Sequence, residues 1–86
     1  SIDASFAEAA RRGLCMVAGN PLMDRNAPET MLVPPGEAVA RSARLIGRWH
    51  GRGRCVYAVT PRYAPGCSPA LFEACATLWS LRDGIV

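Results

Sequence analysis

The stretch "VTPRYAP", residues 59–65, places an arginine and a tyrosine directly after an apolar run. Arg62 is a planar charged fork with several N–H donors, and Tyr63 adds a flat ring beside it. Pro61 and Pro65 restrict the backbone on both sides of the pair. This arrangement at the end of a strand predicts a binding loop. The alternative is a surface arginine that folds over a tyrosine.

A second polar segment spans residues 20–36, which hold four prolines and show neither helical nor strand periodicity. Such a long loop is usually functional or disordered. Asp24 and Asn26 are its candidate active-site residues. Because Arg25 and Asn26 stand beside Asp24, we expect this carboxylate to brace the loop rather than to act as a catalytic acid, and we predict no catalytic residue in this chain.

The residues that commonly bind metals are few and widely spaced. The four cysteines, Cys15, Cys55, Cys67 and Cys75, form no C-x-x-C pair, so we interpret them as structural thiols. His50 is the only histidine. A catalytic zinc site needs about three protein ligands, so the sequence predicts no metal ligand in this segment.

Helical and strand patterns alternate along the chain and so predict an α/β fold. The last helix opens on Ser68 and Pro69, a good N-cap and first-turn pair, and its apolar face would comprise Leu71, Cys75, Leu78, Phe72 and Trp79. Ile85-Val86 is expected to begin a further strand. The predicted elements are a helix at 1–12, a strand at 14–19, a helix at 37–49, a strand at 55–60 and a helix at 69–82.

Strands separated by helices must run parallel, since each crossover returns the chain to the same end of the sheet. The segments 14–19 and 55–60 are therefore predicted to be neighbouring parallel strands in the order α-β-α-β-α. Ligands of parallel β/α folds bind at the carboxyl ends of the strands. Asp24 and Arg62 should consequently lie at the same end of the sheet. The whole chain, 1–86, is interpreted as one partial domain of a larger β/α fold.

Composition limits the classes of protein further. The 86 residues are half apolar and contain no run long enough to span a membrane, and the N-terminal stretch lacks the features of a signal peptide, so we expect a cytoplasmic protein. The net charge is +3. An alternative function is therefore a module that binds nucleic acid or an acidic partner through arginines. Poor aromatic interleaving argues against it. These arginines are Arg41, Arg44, Arg48, Arg52 and Arg54.

Two longer segments carry a family resemblance. "MDRNAPE" at 23–29 and "RLIGRWHGRGRCVYAVTPRYAP" at 44–65, with the spacing between them, closely resemble guanine deaminases of the amidohydrolase superfamily. These enzymes are zinc-dependent (β/α)8 barrels. The resemblance covers nearly all of the chain and implies a fragment of a TIM-type barrel, the section that runs from the helix before the third barrel strand to the helix after the fourth.

The resemblance implies hydrolysis of guanine to xanthine and ammonia by the complete enzyme, with guanine as its ligand. It also implies that Arg62 and Tyr63 contact the purine, although the family more often has phenylalanine where this chain has Tyr63. An arginine fork matches adjacent acceptors on a guanine edge, and a ring offers a face for stacking. The zinc ligands of the superfamily lie on other barrel strands. The chain alone is thus expected to be an inactive structural fragment that binds no zinc, and to form homo-oligomers.

Overall fold

The computed structural model describes residues 1–62 and 64–86. In these ranges, helices alternate with short strands, two after each of the first two helices. No helix in these ranges is long and apolar enough to cross a membrane. The helices are α1 (Ile2–Arg12), α2 (Pro35–Trp49) and α3 (Pro69–Trp79). The strands are β1 (Met16–Ala18), β2 (Pro21–Leu22), β3 (Cys55–Tyr57) and β4 (Thr60–Pro61).

The strands form two parallel pairs, which confirms the predicted pairing of the two apolar runs. Met16 of β1 lies opposite Cys55 of β3, and Pro21 of β2 lies opposite Thr60 of β4. Both pairs keep the same separation along the chain, so they continue one ladder with a break between them. At that break a Cβ atom on Gly19 would lie 1.8 Å from the Ala58 carbonyl oxygen, so only glycine permits the close approach of the two backbones.

Helices cover one face of this ladder and bury an aromatic centre. The Phe6 ring of α1 stacks on Trp49 of α2 at a centroid distance of 6.0 Å and on Tyr57 of β3 at 6.3 Å. Successive strand side chains point to opposite faces, so Cys55 and Tyr57 are buried beneath the helices. Val17 points the other way and is 54% exposed. The second face is therefore open among the described residues.

Several predicted boundaries were wrong. The segment 20–36 is not a continuous loop, because β2 pairs there and Glu29–Met31 forms a 3₁₀ turn. A two-residue strand is too short to show a period in the sequence. Helix α2 begins at Pro35 rather than at residue 37, since proline suits the first turn of a helix. Helix α3 ends at Trp79 instead of continuing to residue 82.

Packing on α3 agrees only in part with the predicted apolar face. Leu71, Cys75 and Leu78 are buried, as expected, but Phe72 and Trp79 are 43% and 42% exposed. The buried face of α3 is therefore narrower than the apolar face that its sequence predicts. No other described element covers the side of the helix that carries these two rings.

All four cysteines are free thiols, and the interpretation as structural thiols fits only the three that are buried. Cys55, Cys67 and Cys75 are buried, and burial raises the pKa of the Cys75 thiol. Cys15 is exposed and lies in the irregular link before β1, outside the predicted strand.

The end of the chain adds a second strand-like partner to β3, on the edge opposite β1. The Val86 N–H donates to the Tyr57 carbonyl (3.1 Å), and the Val86 carbonyl accepts from the Val59 N–H (2.8 Å), which is the parallel pattern expected for Ile85-Val86.

His50 supports this edge of the sheet. Its Nδ1 accepts from the Tyr57 N–H (3.0 Å), and its Nε2 donates to the Asp83 carbonyl (2.7 Å). His50 is thus a buried structural residue.

Candidate functional site

The loops that follow β2 and β4 lie side by side at the carboxyl ends of the two strands. The Arg62 N–H donates to the Leu22 carbonyl (3.2 Å), which extends the strand pairing by one bond. The N–H groups of Asp24 and Arg25 both donate to the Gly66 carbonyl, at 2.9 and 3.3 Å. The predicted placement of Asp24 and Arg62 at one end of the sheet is therefore confirmed.

The Asp24 carboxylate binds the start of helix α3. Its Oδ1 accepts from the Ser68 N–H (2.7 Å), and its Oδ2 accepts from the Ser68 hydroxyl. The Ser68 Oγ in turn accepts from the Leu71 N–H (3.2 Å), so Ser68 is the N-cap that its sequence position indicates. A carboxylate at a helix N-terminus is stabilised by the helix dipole and by free N–H groups. Both oxygens of Asp24 thus brace the loop.

Asn26 makes a second cross-link between the loops. Its Nδ2 donates to the Pro65 carbonyl (2.6 Å), and its backbone adopts φ +53°. Asparagine tolerates this left-handed conformation better than most other residues. Asp24 and Asn26 therefore fix the loop after β4 from opposite sides, one at the Ser68 end and the other at Pro65.

Arg62 is anchored through its backbone and exposed through its side chain. It forms none of the ion pairs found among residues 1–62 and 64–86. The guanidinium is therefore available to a ligand at the strand ends. Tyr63, the predicted stacking partner, lies outside the described residues.

Contacts between groups buried beneath the two loops were not predicted from the sequence. The Cys67 Sγ donates to the Leu22 carbonyl (3.4 Å), and the Met23 carbonyl accepts from the Val33 N–H (2.9 Å). Gly66, whose carbonyl accepts two N–H groups, is likewise buried. The parallel pairing of β2 and β4 brings these residues together. Their contacts join two loops that are far apart in the chain, so the sequence of either loop does not predict them.

Within the described ranges, no group of three or more His, Cys, Asp or Glu side chains is arranged to hold a metal ion. The residues present thus do not fit a zinc site. Two cavities, of about 390 and 240 Å³, lie between α1, α2 and the chain around β2. Neither is lined by Arg62 or Asp24.

Parallel strands that alternate with helices, with polar loops gathered at the strands' carboxyl ends, form the arrangement found in a segment of a (β/α)8 barrel. The structure of guanine deaminase from Bradyrhizobium japonicum contains this arrangement, with a TM-score of 0.92 and 39% identity over 98% of this chain and 18% of that one. No family model matches the chain.

Curated sequences point to the same enzymes. The chain is 46% identical over 78 residues to a "Probable guanine deaminase" of Deinococcus radiodurans, covering 91% of this chain and 18% of the relative. It is also 46% identical over 69 residues to the guanine deaminase of Escherichia coli, covering 80% of this chain and 16% of that protein. The chain is therefore homologous to guanine deaminases over most of its own length, and it spans less than a fifth of theirs.

Proposed function

We propose that this chain is a section of a guanine deaminase, an enzyme that hydrolyses guanine to xanthine and ammonia, and that it supplies part of the purine site. The observation that carries the proposal is the 46% identity to two guanine deaminases across most of the chain. The exposed Arg62 side chain at the end of a parallel strand supports it, since this is where β/α barrels bind ligands.

Arg62 is the proposed purine-binding residue of the described part of the chain. Two parallel N–H groups of its guanidinium match neighbouring acceptors on a guanine edge. The Arg62 N–H is bonded to the Leu22 carbonyl, so the side chain starts from a fixed backbone position. Tyr63 is the proposed stacking partner. A fixed backbone lowers the conformational entropy that is lost when the base binds.

Asp24 and Asn26 have a supporting role in this proposal. Their side chains bond Ser68 and Pro65, at the two ends of the short segment that follows Tyr63. They therefore orient the loop that carries Arg62 without contacting the base themselves. The family chemistry requires zinc, and the described residues do not fit a zinc site. We propose that the metal and its ligands belong to the remainder of the barrel.

The test compares two polypeptides. A protein in which this segment is joined to the remaining barrel strands should convert guanine to xanthine, measured by the change in ultraviolet absorbance and by ammonia release. The 86-residue chain should do neither. Turnover of adenine or a pterin with no turnover of guanine by the complete barrel would reject guanine as substrate. Xanthine formation by the short chain would reject the division of the site between segments.

A further inference from the structure

The arginine series on α2 lines a cleft that the proposed deaminase site does not use. This cleft of about 390 Å³ lies between α2 and the first turn of α1. Its lining includes Arg41, Arg44 and Arg48, spaced so that they share one face of the helix, and Asn20 from the chain after β1. Cavities of about 300–1,000 Å³ are typical of small-molecule sites. The cleft thus has the size of a small-molecule site and a lining rich in positive charge.

The three arginines differ in their ion pairs. Arg41 bonds Glu37 one turn earlier, and Arg48 donates to Asp3 Oδ1 at 3.0 Å. Arg44 takes part in no ion pair among residues 1–62 and 64–86. Arg44 is therefore the arginine of this helix face whose charge no described carboxylate compensates.

Asp3 is the acidic group in the lining, and its carboxylate is already engaged. Asp3 Oδ1 accepts from the Trp49 Nε1–H (2.7 Å) as well as from Arg48. The Trp49 hydrogen bond, followed by that of Arg48, lowers the pKa of Asp3. Asp3 therefore neutralises Arg48 and leaves the positive charge of Arg44 uncompensated.

A smaller cavity of about 240 Å³ adjoins the cleft and shares Asn20 and Arg41 with it. Its wall is mainly apolar and includes Met23, Met31 and Val33. Methionine side chains adapt to ligands of irregular shape. The two cavities therefore lie side by side, one with a cationic lining and one with an apolar lining, and we refer to the pair as the channel.

We propose that this channel binds a phosphomonoester with an apolar body, with Arg44 as the main contact of the phosphate and Met31 in contact with the body. A guanidinium fork recognises phosphate oxygens in bidentate fashion, and Arg41 lies close enough along the helix to reach the same group. Neither Asp24 nor Arg62 lines either cavity, although the loop that carries Asp24 also supplies Met31. Phosphate binding at Arg44 therefore does not require the proposed deaminase activity.

Calorimetry of the 86-residue chain at low ionic strength, with phenyl phosphate, inorganic phosphate and phenol as probes, tests the proposal. Phenyl phosphate should bind best, because it alone fills both ends of the channel. Arg44→Gln should weaken its binding by about tenfold or more, since a charge-assisted pair is lost. Met31→Ser should weaken phenyl phosphate and leave inorganic phosphate unchanged.

Arg54→Gln is the matched control, because Arg54 is exposed at the opposite end of the sheet, before β3, and the substitution removes the same charge. It should change the affinity by less than about twofold. Equal losses for Arg44→Gln and Arg54→Gln would show non-specific attraction and overturn the proposal. So would an absence of phenyl phosphate binding at millimolar concentration by a chain whose circular dichroism shows its helices.

Discussion

The two loops at the strand ends use their polar groups in opposite ways. In the loop after β2, the side chains of Asp24 and Asn26 bond the neighbouring loop at Ser68 and Pro65. In the loop after β4, Arg62 contributes only its backbone N–H to the structure and exposes its side chain. One loop therefore holds the other in place, and the loop that is held carries the group that remains available to a ligand.

Because of this difference, the side chains that stabilise the loops are not the ones that are available for binding. Diverting the Asp24 carboxylate to a substrate would leave the Ser68 N–H without its acceptor at the start of α3, which is unfavourable at a helix terminus. Using the Arg62 guanidinium breaks no ion pair that the described ranges contain. Substitutions in the first loop should thus alter unfolding, whereas those in the second should alter catalysis.

The largest effect is expected for Arg62→Ala in the complete barrel. Loss of the proposed bidentate contact would leave an acceptor edge of the purine unpaired, which should cost about 2–4 kcal/mol and lower kcat/KM for guanine by about 10²-fold or more. The free energy of unfolding should change little, because the side chain is exposed. Steady-state assays at full zinc occupancy measure the first quantity, and urea denaturation measures the second.

Arg25→Ala is the matched control for this substitution, since Arg25 is also exposed but lies in the supporting loop. It should retain nearly full activity. If Arg62→Ala kept normal kcat/KM with full zinc, the purine contact would have to be made elsewhere, and "VTPRYAP" would be a structural loop.

The next effect concerns Tyr63, whose placement the structure does not describe. Tyr63→Ala removes the proposed stacking face and should cost about 1–3 kcal/mol in kcat/KM. Tyr63→Phe keeps the ring and restores the residue that is more usual among the enzymes it resembles, so its activity should stay near that of the parent. A loss with Tyr63→Phe as large as with Tyr63→Ala would assign the role to the hydroxyl instead of the ring.

Helices and strands with a repeating apolar pattern, and helix caps with a local residue pattern, were predictable from the sequence. Contacts that depend on the register of the paired strands were not. The parallel pairing of the two apolar runs follows from helix and strand alternation, and the N-cap at Ser68 follows from a local residue pattern. Strand β2 is too short to have a period. The bond between Asp24 and Ser68 joins residues 44 positions apart, so only the register of the strands brings them together.

A smaller effect, on stability alone, is expected for Asp24→Ala. The substitution removes two hydrogen bonds to Ser68 and a carboxylate at the start of α3, so the free energy of unfolding should fall by about 1–2 kcal/mol. Asp24→Asn keeps an acceptor for the Ser68 N–H and should lose about half as much. Urea unfolding of the complete barrel measures both. Activity lost in folded Asp24→Asn protein would instead point to a catalytic carboxylate.

The smallest effect is expected for Asn26→Gly, and its comparison with Asn26→Ala separates two contributions to stability. Asn26→Gly keeps the left-handed backbone but loses the bond to the Pro65 carbonyl, whereas Asn26→Ala loses both. Because the side chain is exposed, its hydrogen bond should contribute about 0.5 kcal/mol to the free energy of unfolding, and the backbone conformation about 1 kcal/mol. Asn26→Ala should therefore be less stable than Asn26→Gly by the larger of the two amounts. Both variants should keep kcat/KM for guanine within about twofold, because in the proposed site this side chain supports the Arg62 loop at Pro65 and does not contact the base. A fall in activity for Asn26→Gly with unchanged stability would place Asn26 among the groups that contact the substrate, and the division between a supporting loop and a binding loop would then fail.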